Sequence, residues 1–549
     1  MVVWSRIYTR GAVATVLSLS AWAACAASAD GLIVKLKDAP THERASRLGN
    51  AREQAAQSER LQRVLQTERM TEARTRPVGR DAQYLHFGRR LSGEEAQAMA
   101  NRLRARDDVE WVEPNTRERL LQSSTAPNDP YFPYLAPNDL GQWWLRPQGE
   151  STGGQYESWG APGVQNAWRL QTGRPSAVVA VLDTGIRPHA DLAGRVLPGR
   201  DFVSELPYSN DGDGWDADPA DPGDAVVAGE CGTVDGLPDP IADQPSSWHG
   251  TIISGIVAAA TNNHVGVAGV SWNGRVLPVR VAGKCGASVL DITDGMRWAA
   301  GLTVAGAPLN NNPARIINIS FGGSAACGNL YQSTINELAS LGVVVVAAAG
   351  NGARGVSRPA SCNGVVGVAA LARDGFKAAY SNFGPQVVVS TVGGDATADD
   401  GLLTLSNTGT TVPGTDSYDN VFGTSFATPV VSGVISLMLS ANERLTVAQV
   451  ISGLRATARP HVRSSTGVPF CSSADSGVCV CTTSTCGSGV LDAEGAVRYA
   501  LAPPAAGGDG GGGALGPVWL AGLALAVWRL AVLRSRERAL KPVRASRRE

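Results

Sequence analysis

Three short segments carry residue types that together can do nucleophilic chemistry. Asp183 ends the apolar run Val181-Leu182-Asp183 and is followed by Thr184-Gly185. His249 opens His249-Gly250-Thr251, ahead of an apolar, small-residue stretch over 252–260. Ser425 lies in Gly423-Thr424-Ser425-Phe426-Ala427-Thr428-Pro429, at the mouth of another apolar run. A serine hydroxyl is a weak nucleophile until a base within hydrogen-bond reach takes its proton, and the base needs an acceptor to orient it. Ser, His and Asp fill those roles, and their chain order is free. Each segment alone has a bland reading: Asp-Thr-Gly as a turn, the histidine as a helix cap, Gly-Thr-Ser as a loop. The weight lies in their joint occurrence.

Together the segments resemble the three signatures of the subtilisin family of serine proteases, Asp-Thr-Gly, His-Gly-Thr and Gly-Thr-Ser-x-Ala-x-Pro, over roughly residues 165–500. Two neighbours depart from that pattern. Ile252 stands where a second histidine is usual, and Phe426 where methionine is usual. The resemblance implies that Asn351, after Ala347-Ala348-Ala349-Gly350, is an oxyanion donor, with the Ser425 N–H as the second. It also implies that Ser320-Phe321-Gly322-Gly323 binds substrate backbone by strand addition, framing an S1 pocket with Ala348, Ala349 and Gly350. The floor of that pocket falls within 353–361. The other five histidines (His42, His86, His189, His264, His461) lack such contexts and read as structural or exposed.

Between the catalytic-type Asp and His runs an acidic stretch, residues 209–224. Asp211, Asp213, Asp218, Asp221 and Asp224 are candidate ligands for a structural Ca²⁺, because closely spaced carboxylates with glycine turns suit a hard cation. Asp216 belongs to the same stretch, which is not an EF-hand and reads alternatively as a solvated acidic loop. It resembles the Asp-rich insertion of certain Gram-negative subtilisin-like proteases.

Elements must hold these residues in place. Apolar runs at Ser176–Leu182, Val276–Val281, Ile316–Ser320, Gly342–Ala348 and Val365–Ala370 alternate with helical stretches over about 161–500. This predicts an α/β domain, a subtilisin-like parallel sheet sandwiched by helices. Before it, residues 30–115 predict a small α+β unit of ferredoxin-like type. Strands fall at 31–36, 84–87 and 109–114, with a helix within 42–73 and a second opened by Ser92 and Glu95 as a capping box. The unit is similar to the family's inhibitory propeptides, and the resemblance implies autocleavage between about 116 and 130. Residues 116–160, rich in proline and aromatics, read as the cleavage linker and a lead-in.

The ends and cysteines point to export. Arg6 and Arg10 precede an apolar run over 11–26 and the small residues Ala27-Ser28-Ala29, which predicts a signal peptide over 1–29. A membrane anchor or lipid attachment at Cys25 are the competing readings. Eight further cysteines are an even number, which suits disulfides. The pairs 231–285 and 327–362 are the expected ones; a metal site competes for the cluster 471–486. Residues 501–513 form a Gly-rich linker, and 514–549 an apolar segment broken by Arg529 with a basic tail. This end resembles C-terminal sorting signals of Gram-negative secreted proteins, which implies transient membrane contact before release. A net charge of −1 argues against a nucleic-acid partner. The expected protein is a monomer acting on polypeptide substrates, with its own propeptide as intramolecular inhibitor.

Overall fold

The computed structural model describes residues 29–37, 50–78, 82–116, 126–133, 141–147, 158–234, 237–399, 401–463 and 467–504. The signal peptide up to residue 28, the Gly-rich spacer from 505 and the apolar, basic tail lie outside them, as do parts of the linker. The chain divides into two compact units, Met1–Gln122 and Ser123–Glu549.

In the first unit a four-stranded antiparallel sheet runs in the order Arg74–Val78, Ala82–His86, Ala29–Leu36, Val109–Thr116. Helices Asn50–Thr67 and Gly93–Arg104 complete a βαββαβ order, the ferredoxin-like arrangement. Leu61, Val64 and Leu65 of one helix and Ala96, Ala100 and Leu103 of the other meet Leu32, Val34, Leu85 and Val112 in one core. The strand at 74–78 (RTRPV) carries no apolar signal in the sequence, because it is polar and on the sheet edge. Only half of the expected capping box forms. The Ser92 hydroxyl accepts the Glu95 N–H at 3.1 Å, but the Glu95 carboxylate turns to Arg89 instead.

The second unit is built on a seven-stranded sheet, every pairing of which is parallel. Its strands are β1 (Val178–Asp183), β2 (Arg200–Asp201), β3 (Arg275–Arg280), β4 (Ile316–Ile319), β5 (Val344–Ala348), β6 (Val366–Leu371) and β7 (Val387–Val392), in the order β7-β6-β5-β4-β1-β3-β2. Alternate residues face opposite cores. Val179, Val181, Ile316, Val344 and Val346 meet helices α1 (His249–Ala258) and α4 (Thr424–Ala441) on one face. Ala180, Leu182, Ile317, Ile319 and Val345 meet α2 (Val289–Ala299) and α3 (Asn329–Ser340) on the other. Burial on both faces is why these strands read as continuous apolar runs. The chain builds β1–β3 on one side, then crosses to β4 on the other side of β1. In open α/β sheets such a reversal opens a crevice at the carboxyl ends of the strands. Asp183 is the last residue of β1, and Ser320 directly follows β4.

Four disulfides close among the described residues: Cys231–Cys285, Cys327–Cys362, Cys471–Cys479 and Cys481–Cys486. Both expected pairs are present. In the 471–486 cluster the sulfurs of Cys471, Cys481 and Cys486 lie within 4.8 Å of one another because two disulfides sit side by side, and oxidised sulfur has no thiolate to offer a metal.

Candidate active site

A cleft of about 760 Å³ at the carboxyl end of the sheet brings together Asp183, His249, Ser320, Asn351 and Ser425. Asp183 is buried, and its Oδ1 lies 2.8 Å from Nδ1 of the partly exposed His249. The Thr184 N–H also donates to that oxygen, at 2.8 Å. Gly250 lets α1 start this close to β1, since a Cβ there would stand 2.0 Å from the Gly185 carbonyl oxygen. Burial works against charge on the His249 imidazole. The Asp183 carboxylate, by Coulomb attraction and hydrogen bond, outweighs it with help from Asp224 and Asp221, so the ring's pKa is raised. Both departures from the expected pattern are packing residues. Ile252 is buried, and the Phe426 ring tilts against His249 at 5.5 Å between centroids.

Ser425 sits in the first turn of α4, an 18-residue helix whose leading N–H groups have no intrahelical acceptor. Its hydroxyl donates to the Ser320 carbonyl at 2.7 Å, and the Ser320 hydroxyl donates back to the Ser425 carbonyl at 2.7 Å. Pro429 makes the second bond possible. It has no N–H for the carbonyl one turn back, so the Ser425 oxygen is left for Ser320. That proline was the available sequence signal for the pairing.

Asn351 is oriented by Thr424. Its Oδ1 accepts the Thr424 N–H at 2.9 Å and the Thr424 hydroxyl at 2.7 Å. A backbone N–H can only donate, so the atom facing it is the carbonyl oxygen, and the NH₂ end is the one left for the cleft.

Among the expected substrate-binding residues, Ser320, Phe321, Gly322, Ala348 and Gly350 line the cleft. Ala349 does not; its side chain is buried with Ala369 and Val387. Gly323 exchanges two 3.0 Å backbone bonds with Arg358, and from 353–361 the residues Arg354, Ser357 and Arg358 reach the lining. The loop tethered by Cys231–Cys285 contributes Val226, Asp239 and Gln244 to the lining.

The acidic stretch differs from its expectation as a calcium site. Asp211 pairs with the buried Arg280, which also holds Asp201. Asp221 is buried, accepts the Thr184 hydroxyl at 2.7 Å and the Gly223 N–H at 2.9 Å, and burial pushes its pKa up to about 6. Thr184 in turn accepts the Gly250 N–H at 3.1 Å, so Asp221 braces the start of α1. Asp224 takes the Ser247 N–H and hydroxyl at 2.6 and 2.7 Å, just ahead of His249. Asp218 caps the Ala220 N–H at 3.0 Å, and Asp213 is exposed. Among the described residues no three carboxylates bring oxygens within 4.8 Å of one another. Among the described residues the five aspartates therefore do not converge on one Ca²⁺ site: Asp211 is engaged by Arg280, Asp221 by Thr184 and Gly223, and Asp224 by Ser247. Replacing Asp213 and Asp218 together by alanine is therefore expected to leave unchanged the shift in melting temperature that Ca²⁺ causes. Thermal unfolding with and without Ca²⁺ checks this, and a lost shift would restore the loop as a metal site.

Arg280 ends β3 directly beside Asp183 in register. Arg280→Ala would leave Asp201 buried without its cation, a change that costs about 3–5 kcal/mol. Denaturant unfolding of the parent and the variant side by side measures it. A loss below about 1 kcal/mol would contradict this account of the loop.

Residues 175–483, more than half the chain, match the Subtilase family (Peptidase_S8). An extracellular protease of Xanthomonas campestris is 41% identical over 416 residues, covering 75% of this chain and 63% of that protein. An extracellular basic protease of Dichelobacter nodosus is 37% identical, covering 74% of this chain and 61% of its own length. The chain thus spans less than two thirds of both relatives. A solved protease structure from Pseudoalteromonas arctica superposes with a TM-score of 0.58 at 43% identity, covering 68% of this chain and 99% of that one. On the family match and the fold together, this chain belongs to the Subtilase family.

Proposed function

We propose that the chain is a secreted serine endopeptidase, made as a zymogen, that cuts peptide bonds of extracellular proteins through an acyl-enzyme. The observation that carries the reading is the Asp183–His249 hydrogen bond in one cleft with Ser425 and an Asn351 amide fixed by Thr424. Asp183 holds Nδ1 protonated, which leaves the Nε2 lone pair as the base. The Ser425 hydroxyl turns from the Ser320 carbonyl to His249, gives up its proton there and attacks the substrate carbonyl carbon. The oxyanion that forms is met by the Asn351 NH₂ and the Ser425 N–H. His249 then protonates the leaving amine, and water repeats the sequence on the ester. The substrate backbone would pair along 320–323.

The βαββαβ unit at 30–115 fits an intramolecular inhibitor removed by cleavage between about 116 and 130. The names of the two relatives, both extracellular proteases, support export; the signal peptide and a transiently anchoring tail complete the proposal. Structural calcium is common among subtilases, and its place in this chain is not assigned to the acidic stretch. Casein hydrolysis with and without a serine-directed sulfonyl inhibitor, with N-terminal sequencing of the secreted product, tests the reading. Inhibitor-sensitive hydrolysis and a mature start within 116–130 are expected. Inhibitor-resistant hydrolysis would overturn the mechanism, and an intact 30–115 segment in the active form would overturn the zymogen.

A further inference from the structure

We infer that Asn382, held by Lys377, is the positioning residue that aims the Asn351 donor; the inference rests on the reading of Asn351 given above. Asn351 stands on an irregular loop, and donors that stabilise an oxyanion work only when fixed before charge develops. Asn382 lies in the turn ahead of β7, some thirty residues along the chain, and is buried. Its side chain uses both ends of its amide on that loop. Oδ1 accepts the Gly352 and Arg354 N–H groups at 2.9 and 3.0 Å, and Nδ2 donates to the Ala349 carbonyl and the Ser357 hydroxyl at 3.0 and 3.1 Å. Asn351 is thus bracketed on both sides by partners of one amide. The main chain adds three bonds, from Asn382 to Gly350, from Ala353 to Tyr380 and from Phe383 to Arg354, at 2.8–2.9 Å. Gly350 has φ +106°, and a Cβ there would lie 2.4 Å from Asn382 Nδ2, so the loop is drawn tightly onto this side chain.

Lys377 fixes the turn that presents Asn382. It is fully buried, and its ammonium donates to the carbonyls of Ala378, Ala379 and Ser381 at 2.7, 3.3 and 2.9 Å. A buried charge is tolerated when its donors are satisfied in this way, and here they close the turn immediately before Asn382. The same turn reaches the nucleophile. The Tyr380 hydroxyl lies 2.6 Å from the Gly394 carbonyl and 2.9 Å from that of Gly393, which accepts the Gly423 N–H at 3.0 Å, two residues before Ser425. One segment, 377–383, therefore grips both the donor loop and the nucleophile turn.

The test is steady-state kinetics on a chromogenic peptide, with Asn382→Ala and Asn382→Asp each made alone and in an Asn351→Ala background. A misplacement of about 1 Å can cost on the order of 10²-fold. Asn382→Ala is therefore expected to lower kcat roughly 10²-fold with KM changed less than about threefold, and to cost less than about threefold once Asn351 is gone. Asn382→Asp keeps the acceptor for Gly352 and Arg354 and loses both donors. It is the variant that decides if Asn382→Ala does not fold, and the same non-additivity is expected of it. Equal losses in both backgrounds, or a loss carried by KM alone, would overturn the positioning role. If Asn351→Ala by itself leaves kcat unchanged, the reading of Asn351 is what fails.

Discussion

Ser425→Ala is expected to lower kcat by about 10⁶, the loss measured when the nucleophile of subtilisin is removed. What remains comes from binding and the oxyanion donors, which still favour attack by water. The same variant is expected to stay at full precursor length, because its own cleft is the proposed source of the cut between 116 and 130. Kinetics and mass measurement on one preparation check both. A precursor processed normally in a host lacking other proteases would separate maturation from this active site.

Asp183→Asn is expected to lower kcat by about 10⁴, since an amide cannot hold the imidazole in the tautomer with a basic Nε2. It should also move the pH profile. His249 must be neutral to accept the serine proton, so activity is lost as pH falls through its pKa. Burial opposes charge on the ring, but the Asp183 carboxylate outweighs it and raises that pKa above the ordinary imidazole value. The acid limb of kcat/KM in the parent enzyme should therefore lie higher than an unperturbed imidazole would set it, and in Asp183→Asn it should fall. An acid limb that does not move would mean that another group sets it.

Much of this was legible in the sequence, for physical reasons. Strands covered on both faces must be apolar throughout, so β1 and β3–β6 stood out as runs. β7 carries the same signal in Val387-Val388-Val389, though it is not among the runs expected above, and the two-residue β2 is too short and polar to carry one. The site segments were readable because each couples a chemical residue to the end of an apolar element. The acidic stretch was legible only as composition, which counts carboxylates and does not aim them. Asp211 belongs to an arginine 69 residues away, and Asp224 to Ser247. Asn382 was silent for a related reason. Its partners are mostly backbone groups of a distant loop, which leave no pattern in residue types.

In the proposed mechanism Ser425 is the nucleophile and His249 its base. A fluorophosphonate probe, which reacts with activated serine, tests this most directly when the labelled peptide is mapped by mass spectrometry. One label is expected, on Ser425, appearing in step with the loss of casein hydrolysis and absent from His249→Ala. Inactivation with the label on another residue, or with Ser425 unmodified, would contradict it.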